Sequence, residues 1–280
     1  MRSGMAQSWL RFLRHLPVMT AARFADFADA ILATDVDTIP DPAHIPDAFL
    51  LARDKALSAH YVPFDYVNEN ARVVVVGITP GFVQWKNAVR EARRQMRLGA
   101  ALPEVLRAAK YTGAFSGAIR PNLVALLDHV GLQRWLGIAS CASLFHGDAG
   151  LMQVTAVLRH AIFVDGKNYN GANPNMVATT LLQAQMLDHF AMEAARLPDA
   201  VYVPLGPRVG EALSWLAGRG LVRESRILHG IPHPSGANAE RIAYFLGRKD
   251  KSTLSTRTNG DRIDADRMAI AMKMTTLGLA

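Results

Sequence analysis

The chain has 280 residues, half of them hydrophobic, which is enough apolar material for one large domain with a substantial core. Its 31 Lys and Arg residues exceed its 24 Asp and Glu residues, and the formal net charge of +7 favours a polyanionic partner such as DNA. The single cysteine, Cys141, excludes an intramolecular disulfide and a zinc or iron–sulfur site built from several thiolates. We therefore expect a protein of a reducing, cytoplasmic compartment with no cofactor.

The N-terminal part of the chain is predicted to be helical. Met1 to Thr20 spreads three arginines among apolar residues, a pattern typical of an amphipathic helix rather than of a signal peptide. Apolar residues recur at helical spacing from Val18 to Leu32, before a proline-rich break. Since no stretch approaches the roughly 18 apolar residues of a membrane span, we expect no membrane partner. Residues 1–65 are predicted to form a helical extension packed on the core.

Strands alternate with helices along the central part of the chain. The run Val73–Val76 predicts a strand buried on both faces of a parallel sheet. Further strands are predicted at 153–158, 200–204 and 225–229, and helices at 85–98, 121–130, 175–197 and 207–217. This order predicts an α/β fold over residues 66–248, a three-layer α/β/α sandwich with a central, mainly parallel sheet of about four strands. Residues 249–280 are predicted to be a polar tail with a short C-terminal helix.

Two motifs follow predicted strands, where an α/β fold places its ligand site. The first, Gly77–Gly81 (Gly-Ile-Thr-Pro-Gly), forms a tight turn that a ligand can approach closely, or merely joins a strand to a helix. The second is His233–Gly236 (His-Pro-Ser-Gly), in which His233 lies between two prolines and Ser235 offers its hydroxyl and amide to a phosphate.

Together the two motifs resemble the paired signature of the uracil-DNA glycosylase superfamily. The segment Leu205–Leu213 resembles its penultimate strand-to-helix junction, and Val154–Gly171 resembles the strand and loop that read the base. The resemblance covers about Arg72 to Gly247. It implies a monofunctional DNA glycosylase, which flips a base out of DNA and hydrolyses its N-glycosidic bond to leave an abasic site.

The resemblance also implies roles for individual residues. His233 would stabilise the leaving base, as the first catalytic candidate. The residues that would contact the flipped base are Gly77, Ile78, Phe82, Thr155, Asn168 and Tyr169. The residues of the motifs that would contact the DNA backbone are Pro80, Gly81, Ser235 and Gly236.

Two positions depart from the superfamily pattern. Thr79 stands where other members have the Asn or Asp that activates water, and a hydroxyl can position a water but not deprotonate it near neutral pH. Thr79 therefore remains a catalytic candidate for positioning, and Asp148 or Asp165 could supply the acid, although both could equally be turn residues. Thr155 stands where an Asn reads uracil, so the excised base is left open and includes an enlarged or modified base of an invading phage genome.

A row of arginines follows the first motif. Arg90, Arg93, Arg94 and Arg97 share one face of the predicted helix because residues three, four and seven apart align. The row is either a solvated face or a track for DNA phosphates, and in the second case Arg90 and Arg94 bind the backbone and DNA affinity depends on salt.

Three functions remain open at this stage. The first is a monomeric DNA glycosylase acting on a damaged, mismatched or modified base. The second is a non-catalytic sensor of altered DNA on the same fold, because the activator is missing at Thr79. The third is a phosphate or nucleotide enzyme, but the chain lacks the lysine and Ser/Thr of a P-loop. No cluster of His and carboxylates has the spacing of metal ligands, so no metal is expected.

Overall fold

The computed structural model describes residues 23–113 and 119–278. The amphipathic helix predicted for Met1 to Thr20 lies outside these residues. Within them, no helix combines the length and the apolar character that crossing a membrane would require.

The strands of the described residues are β1 (Leu50–Asp54), β2 (Leu57–His60), β3 (Val73–Gly77), β4 (Met152–Ala156), β5 (Ala161–Val164), β6 (Lys167–Asn168) and β7 (Val201–Pro204). Their α-helices are α1 (Phe24–Ala33), α2 (Phe82–Arg97), α3 (Leu102–Gly113), α4 (Ile119–His129), α5 (Leu132–Leu136), α6 (Thr180–Gln185), α7 (Ala191–Ala195), α8 (Pro207–Ala217), α9 (Ala239–Phe245) and α10 (Gly260–Thr276). A π-turn, Met186–Phe190, joins α6 to α7 with helical backbone angles at both junctions, so the helix predicted over 175–197 is present as one continuous run from Thr180 to Ala195 that contains a π segment.

A parallel sheet of three strands lies at the centre, in the order β4-β3-β7. Val75 pairs with Val154 on one side and with Val203 on the other. The fourth strand predicted at 225–229 is reduced to one parallel bridge between Tyr202 and Ile227, because a 3₁₀ turn ends at Arg226 immediately before it. The mixed α/β class and the parallel sheet are therefore confirmed, with three full strands.

The valine run of β3 is buried on both faces, as its sequence predicts. Val74 and Val76 belong to a core formed with α6, α7 and α8. Val73 and Val75 belong to a second core formed with α4, α9 and α10. Because both faces are covered, polar ligands have access to this sheet only at the ends of its strands.

A second sheet is antiparallel, in the order β1-β2-β5-β6. Its first two strands form a hairpin whose turn contains Lys55 with a φ of 52°. This hairpin lies within residues 1–65, which were predicted to be helical. It forms because β2 pairs with β5, about 100 residues later in the chain, and Phe49, Tyr61 and Phe163 share a third core with α1, α2 and α3.

The C-terminal segment ends in a longer helix than its sequence suggests. α10 has 17 residues, begins at the cap Asn259, and buries Ile263, Ile270 and Met274 in the second core. Lys273 Nζ donates to the carbonyl of Ile227 at 2.7 Å. The segment is therefore attached to the edge of the parallel sheet.

Candidate functional site at the carboxyl edge of the parallel sheet

The first motif leaves the central strand β3 at its carboxyl end, between two neighbouring strands. On one side, the amides of Val157 and Leu158 donate to the carbonyls of Gly77 and Ile78 at 2.9 and 3.0 Å. On the other side, the amide of Leu205 donates to the carbonyl of Val76 at 2.9 Å. The chain leaves β3 for β4 on one side and later crosses to β7 on the other side. This edge is therefore a topological switch point, where α/β folds bind ligands.

The His-Pro-Ser loop reaches the same edge. A methyl group placed on Gly206, the residue before α8, would lie 3.6 Å from His233 Cβ, so His233 packs over this glycine. Asn122 Nδ2 in the first turn of α4 donates to the carbonyl of Pro234 at 3.0 Å, and Asn238 Nδ2 donates to Ser235 Oγ at 3.1 Å. The loop is thus held by two asparagines, of which Asn122 has no sequence signal beyond its position at a helix start.

The ring of His233 has a defined hydrogen-bonding role. Ser235 N donates to its Nδ1 at 3.2 Å, and burial lowers the pKa of His233. A neutral imidazole that accepts at Nδ1 carries its proton on Nε2. His233 therefore offers one N–H donor, while the Ser235 amide is already used within the loop.

The hydroxyl of Thr79 donates one hydrogen bond to the protein backbone and accepts one from it. Its Oγ1 donates to the carbonyl of His160 at 2.8 Å and accepts from the amide of Ile162 at 3.1 Å. The hydroxyl has one proton to donate, and that proton is taken by His160. Thr79 thus ties the first motif to the segment between β4 and β5, and its hydroxyl is committed to this structural role.

The other residues of the first motif pack closely against Asn168 and the loop that follows it. A methyl group on Gly171, which has a φ of 82°, would lie 3.1 Å from Ile78 Cδ1 and 3.4 Å from Arg208 Cβ. A methyl group on Gly81 would lie 3.3 Å from Asn168 Oδ1. Glycines at these positions let the loop at 169–175 approach the motif, and Pro80 between them is buried.

The predicted base-contacting residues after the middle strand have protein partners. Asn168 Oδ1 accepts from Phe82 N at 2.8 Å and so caps the start of α2. Phe82 is half-buried and stacks on Trp85 with ring centroids 6.2 Å apart. Tyr169 is buried, and its hydroxyl donates to the carbonyl of Pro174 at 2.6 Å. The structure therefore places Asn168 against the motif, and the polar groups of both Asn168 and Tyr169 are used within the protein.

Thr155 points into a buried ion network. Its Oγ1 donates to Glu193 Oε2 at 3.0 Å, and Glu193 also pairs with Lys110 at 3.2 Å and with Arg159 at 3.4 Å. Gln153 Nε2 donates to the same carboxylate. Burial raises the pKa of Glu193, but the two cations and the two hydrogen bonds outweigh it and lower the pKa overall. Thr155 therefore belongs to the core.

Two histidines lie between this network and Thr79. The rings of His160 and His189 are 4.4 Å apart, and His189 lies in the π-turn. His160 Nδ1 accepts from Val62 N at 3.2 Å, so its Nε2 carries the hydrogen. Burial holds the pKa of both rings below the usual value, that of His189 at about 4. Within the described residues, His160 Nε2, His189 Nδ1 and Arg159 Nε have no hydrogen-bond partner.

The two candidate acids are not at this edge. Asp148 precedes β4 and therefore lies at the amino end of the parallel sheet, about 16 Å from its carboxyl end at the rise of a five-residue strand. Asp165 is exposed in the turn between β5 and β6, with a φ of 48°. The structure places both in turns, and neither is brought to the first motif.

In the arginine row of α2, Arg90 and Arg93 contact the protein's own N-terminal elements and Arg94 pairs within the helix. Arg90 pairs with Asp37, and Arg94 pairs with Glu91 at 2.7 Å. Arg93 Nε donates to a carbonyl near the end of α1 at 3.1 Å. These charges are largely compensated, so the row is a poorer phosphate track than its sequence suggests. Gly236 and Ser235 remain the backbone-contact candidates beside His233.

A metal site has no donor set in the described ranges. No three His, Cys, Asp or Glu side chains there are grouped so as to hold an ion. Cys141 is buried, and burial raises the pKa of its thiol.

Comparison with known proteins identifies a relative of this chain. No family model matches the chain, and no solved structure matches it. It is 31% identical over 222 residues to the uncharacterized protein YoxB of Bacillus subtilis (strain 168), an alignment that covers 79% of this chain and 87% of YoxB. The chain therefore belongs to the same family as YoxB.

Proposed function

We propose that the protein is a DNA glycosylase of the uracil-DNA glycosylase type, which acts on a damaged, mismatched or modified base. The proposal includes the corresponding three-layer α/β/α arrangement, and it is supported by the two cores on opposite faces of the parallel sheet. Its substrate would be duplex or single-stranded DNA, in repair or in defence against foreign DNA.

The observation that carries the proposal is the state of His233. This ring lies at the carboxyl edge, packs over Gly206, and holds a single proton on Nε2 because the Ser235 amide occupies Nδ1. A neutral N–H donor at this position suits a reaction in which negative charge develops on the leaving base. The donor stabilises that charge through a hydrogen bond and keeps its own proton.

The reaction that fits this donor is a hydrolysis. The bond between C1′ of the sugar and the base nitrogen breaks, and its electron pair passes to the base, where His233 Nε2–H donates to a carbonyl oxygen. Water adds its oxygen to C1′, and its proton ends on the departed base. Because Thr79 is engaged and Asp148 and Asp165 lie elsewhere, the leaving-base contact must supply most of the protein's contribution to the rate.

A second candidate function is a sensor of altered DNA that does not cut it. The observation that favours it is the backbone engagement of the Thr79 hydroxyl, whose one proton is donated to His160 and whose oxygen is too weak a base to deprotonate water. The sensor would use the same edge and the same His233 donor, with binding as its only output.

The test is incubation of the purified protein with DNAs that each carry one candidate base: uracil, hypoxanthine, an alkylated base or a bulky modified cytosine. Released base is measured by mass spectrometry, abasic sites by alkali cleavage, and binding by fluorescence anisotropy. We expect release of one base, and we expect His233→Ala to reduce its rate by about 10²-fold or more, the usual loss on removing such a donor.

His146→Ala is the matched control, because His146 is exposed near the amino end of the parallel sheet. Release that is equal in wild type and His233→Ala would contradict the role of His233. Tight binding to one altered base without release would support the sensor, and the absence of both release and binding would contradict both functions.

A further inference from the structure

A cavity of about 520 Å³ lies on the outer side of the second core, between α4 and α10. Phe245, Ile270 and Met274 lie at its apolar floor, each no more than 3% exposed, and Met268 at its rim is 69% exposed. This volume lies within the usual range of sites for small molecules. A flexible methionine at the rim adapts to ligands of different shape.

The arginines that line the cavity have few ion-pair partners of their own. Arg267 has its nearest carboxylate, Asp264, at 3.9 Å, but Asp264 already accepts from Tyr244 Oη and from Lys251 Nζ at 2.9 Å. Arg134 also lines the cavity and has no carboxylate partner within residues 23–113 and 119–278. Arg134 is thus presented without a carboxylate, and Arg267 has only a long contact with a carboxylate that Lys251 and Tyr244 also use.

His129 on the wall of the cavity is consistent with this excess of positive charge. Burial lowers the pKa of His129, and Arg267 and Arg248 nearby lower it further. A neutral histidine adds a polar contact without adding charge. The cavity therefore combines an apolar floor with two arginines, a neutral histidine and one carboxylate, Asp264, whose charge is shared with Lys251.

The cavity is separate from the carboxyl edge. Asn122, which holds the His-Pro-Ser loop, lies in the first turn of α4, and His129 follows seven residues later. At 1.5 Å per residue the two are about 10 Å apart along the helix, and the cavity continues from His129 toward α10. Occupancy of one site is therefore compatible with occupancy of the other.

We propose that this cavity binds a small organic anion, in which a carboxylate, sulfonate or phosphate group is attached to an apolar body. The anionic group pairs with Arg134 and Arg267, and the apolar body lies against Phe245, Ile270 and Met274. Guanidinium groups suit such anions because they donate two parallel hydrogen bonds. The site does not depend on DNA binding or on base excision.

The test uses two fluorescent probes that differ by one charged group. The anionic probe is 1-anilinonaphthalene-8-sulfonate, and the uncharged probe is N-phenyl-1-naphthylamine. We expect saturable binding of the sulfonate at one site, and binding of the uncharged probe weaker by about tenfold or more, as for the loss of a charge-assisted contact. The double variant Arg134→Gln/Arg267→Gln should weaken sulfonate binding to a similar degree.

Two further variants locate the site. Arg262→Gln removes one positive charge from α10 outside the cavity lining, so the affinity of this variant for the sulfonate should match wild type. Ala271→Phe fills the cavity from an exposed position of the same helix without a charge change, and it should block the sulfonate. Thermal melting confirms that each variant is folded.

Three results would overturn the proposal. These are equal binding of the two probes, unchanged sulfonate binding in the folded double variant, and displacement of the sulfonate by duplex DNA, which would assign the probe to the DNA-binding surface instead.

Discussion

The hydroxyl of Thr79 is used in structural hydrogen bonds, so its proton is not available for catalysis. It satisfies a carbonyl and an amide of the segment that leads into β5, more than 80 residues away in the chain. Buried backbone groups that lose such a partner are costly, because no water replaces it. A hydroxyl at position 79 is therefore needed for the fold, whatever the function of the loop.

Replacement of Thr79 by Val keeps the shape of the side chain and removes both hydrogen bonds. We expect Thr79→Val to lower the free energy of unfolding by about 1–3 kcal/mol, the usual penalty for leaving such groups unpaired. Thr79→Ser keeps the hydroxyl and should recover most of this loss. Urea denaturation measures both, and a Val variant as stable as wild type would show that these hydrogen bonds contribute little.

At the scale of elements, Glu193 joins α3, α7 and the edge strand β4. Its carboxylate contacts Lys110, Arg159 and Thr155 in an environment without water access, where Glu193 is only 1% exposed. Burial lowers the pKa of the Lys110 ammonium, and the Glu193 carboxylate opposes this shift. Removing the carboxylate leaves two buried cations without compensation, a situation far less favourable than the loss of a surface pair.

We expect Glu193→Gln to destabilise the fold by about 3–5 kcal/mol. The matched control is Glu69→Gln, because Glu69 pairs with Arg196 at 2.8 Å on the surface, where such a pair contributes about 0–1 kcal/mol. Chemical denaturation of the two variants side by side gives the comparison. Similar losses in both would mean that the buried network is dispensable.

For the whole molecule, three buried histidines with strongly lowered pKa values make the largest contribution to the response of stability to acid. His60, His160 and His189 are each less than 5% exposed. Burial lowers the pKa of His60 and of His189 to about 4, and it holds the pKa of His160 well below the usual 6.5. The unfolded chain therefore binds protons below about pH 6.5 that the folded protein excludes, and stability is lost as the pH falls through that value.

Each excluded proton contributes about 1.4 kcal/mol per pH unit, so three together give a slope of up to about 4 kcal/mol per pH unit below pH 6.5. Denaturation curves collected between about pH 7.5 and pH 5.5 measure this slope. His60→Asn should reduce it by about one third. A free energy of unfolding that stays constant over this range would contradict the neutral, buried state of these rings.

Several features of the fold could be predicted because they depend on near neighbours in the chain. Four consecutive β-branched residues at Val73–Val76 strongly favour a strand buried on both faces, and the regular apolar spacing of Pro207–Ala217 favours a helix. The prolines around His233 restrict the backbone wherever the loop lies. Because strands and helices alternate, the position of both motifs at one edge of a parallel sheet also followed.

Other features were decided only by tertiary structure. The hairpin of β1 and β2 exists because a strand about 100 residues away pairs with it, and no local signal predicts this pairing. Likewise, the hydroxyl of Thr79, the amide of Asn168 and the charge of Arg90 all have partners more than 50 residues distant. Short-range sterics and the periodicity of burial are properties of a segment, whereas the satisfaction of a polar group depends on which distant atoms the completed fold places beside it.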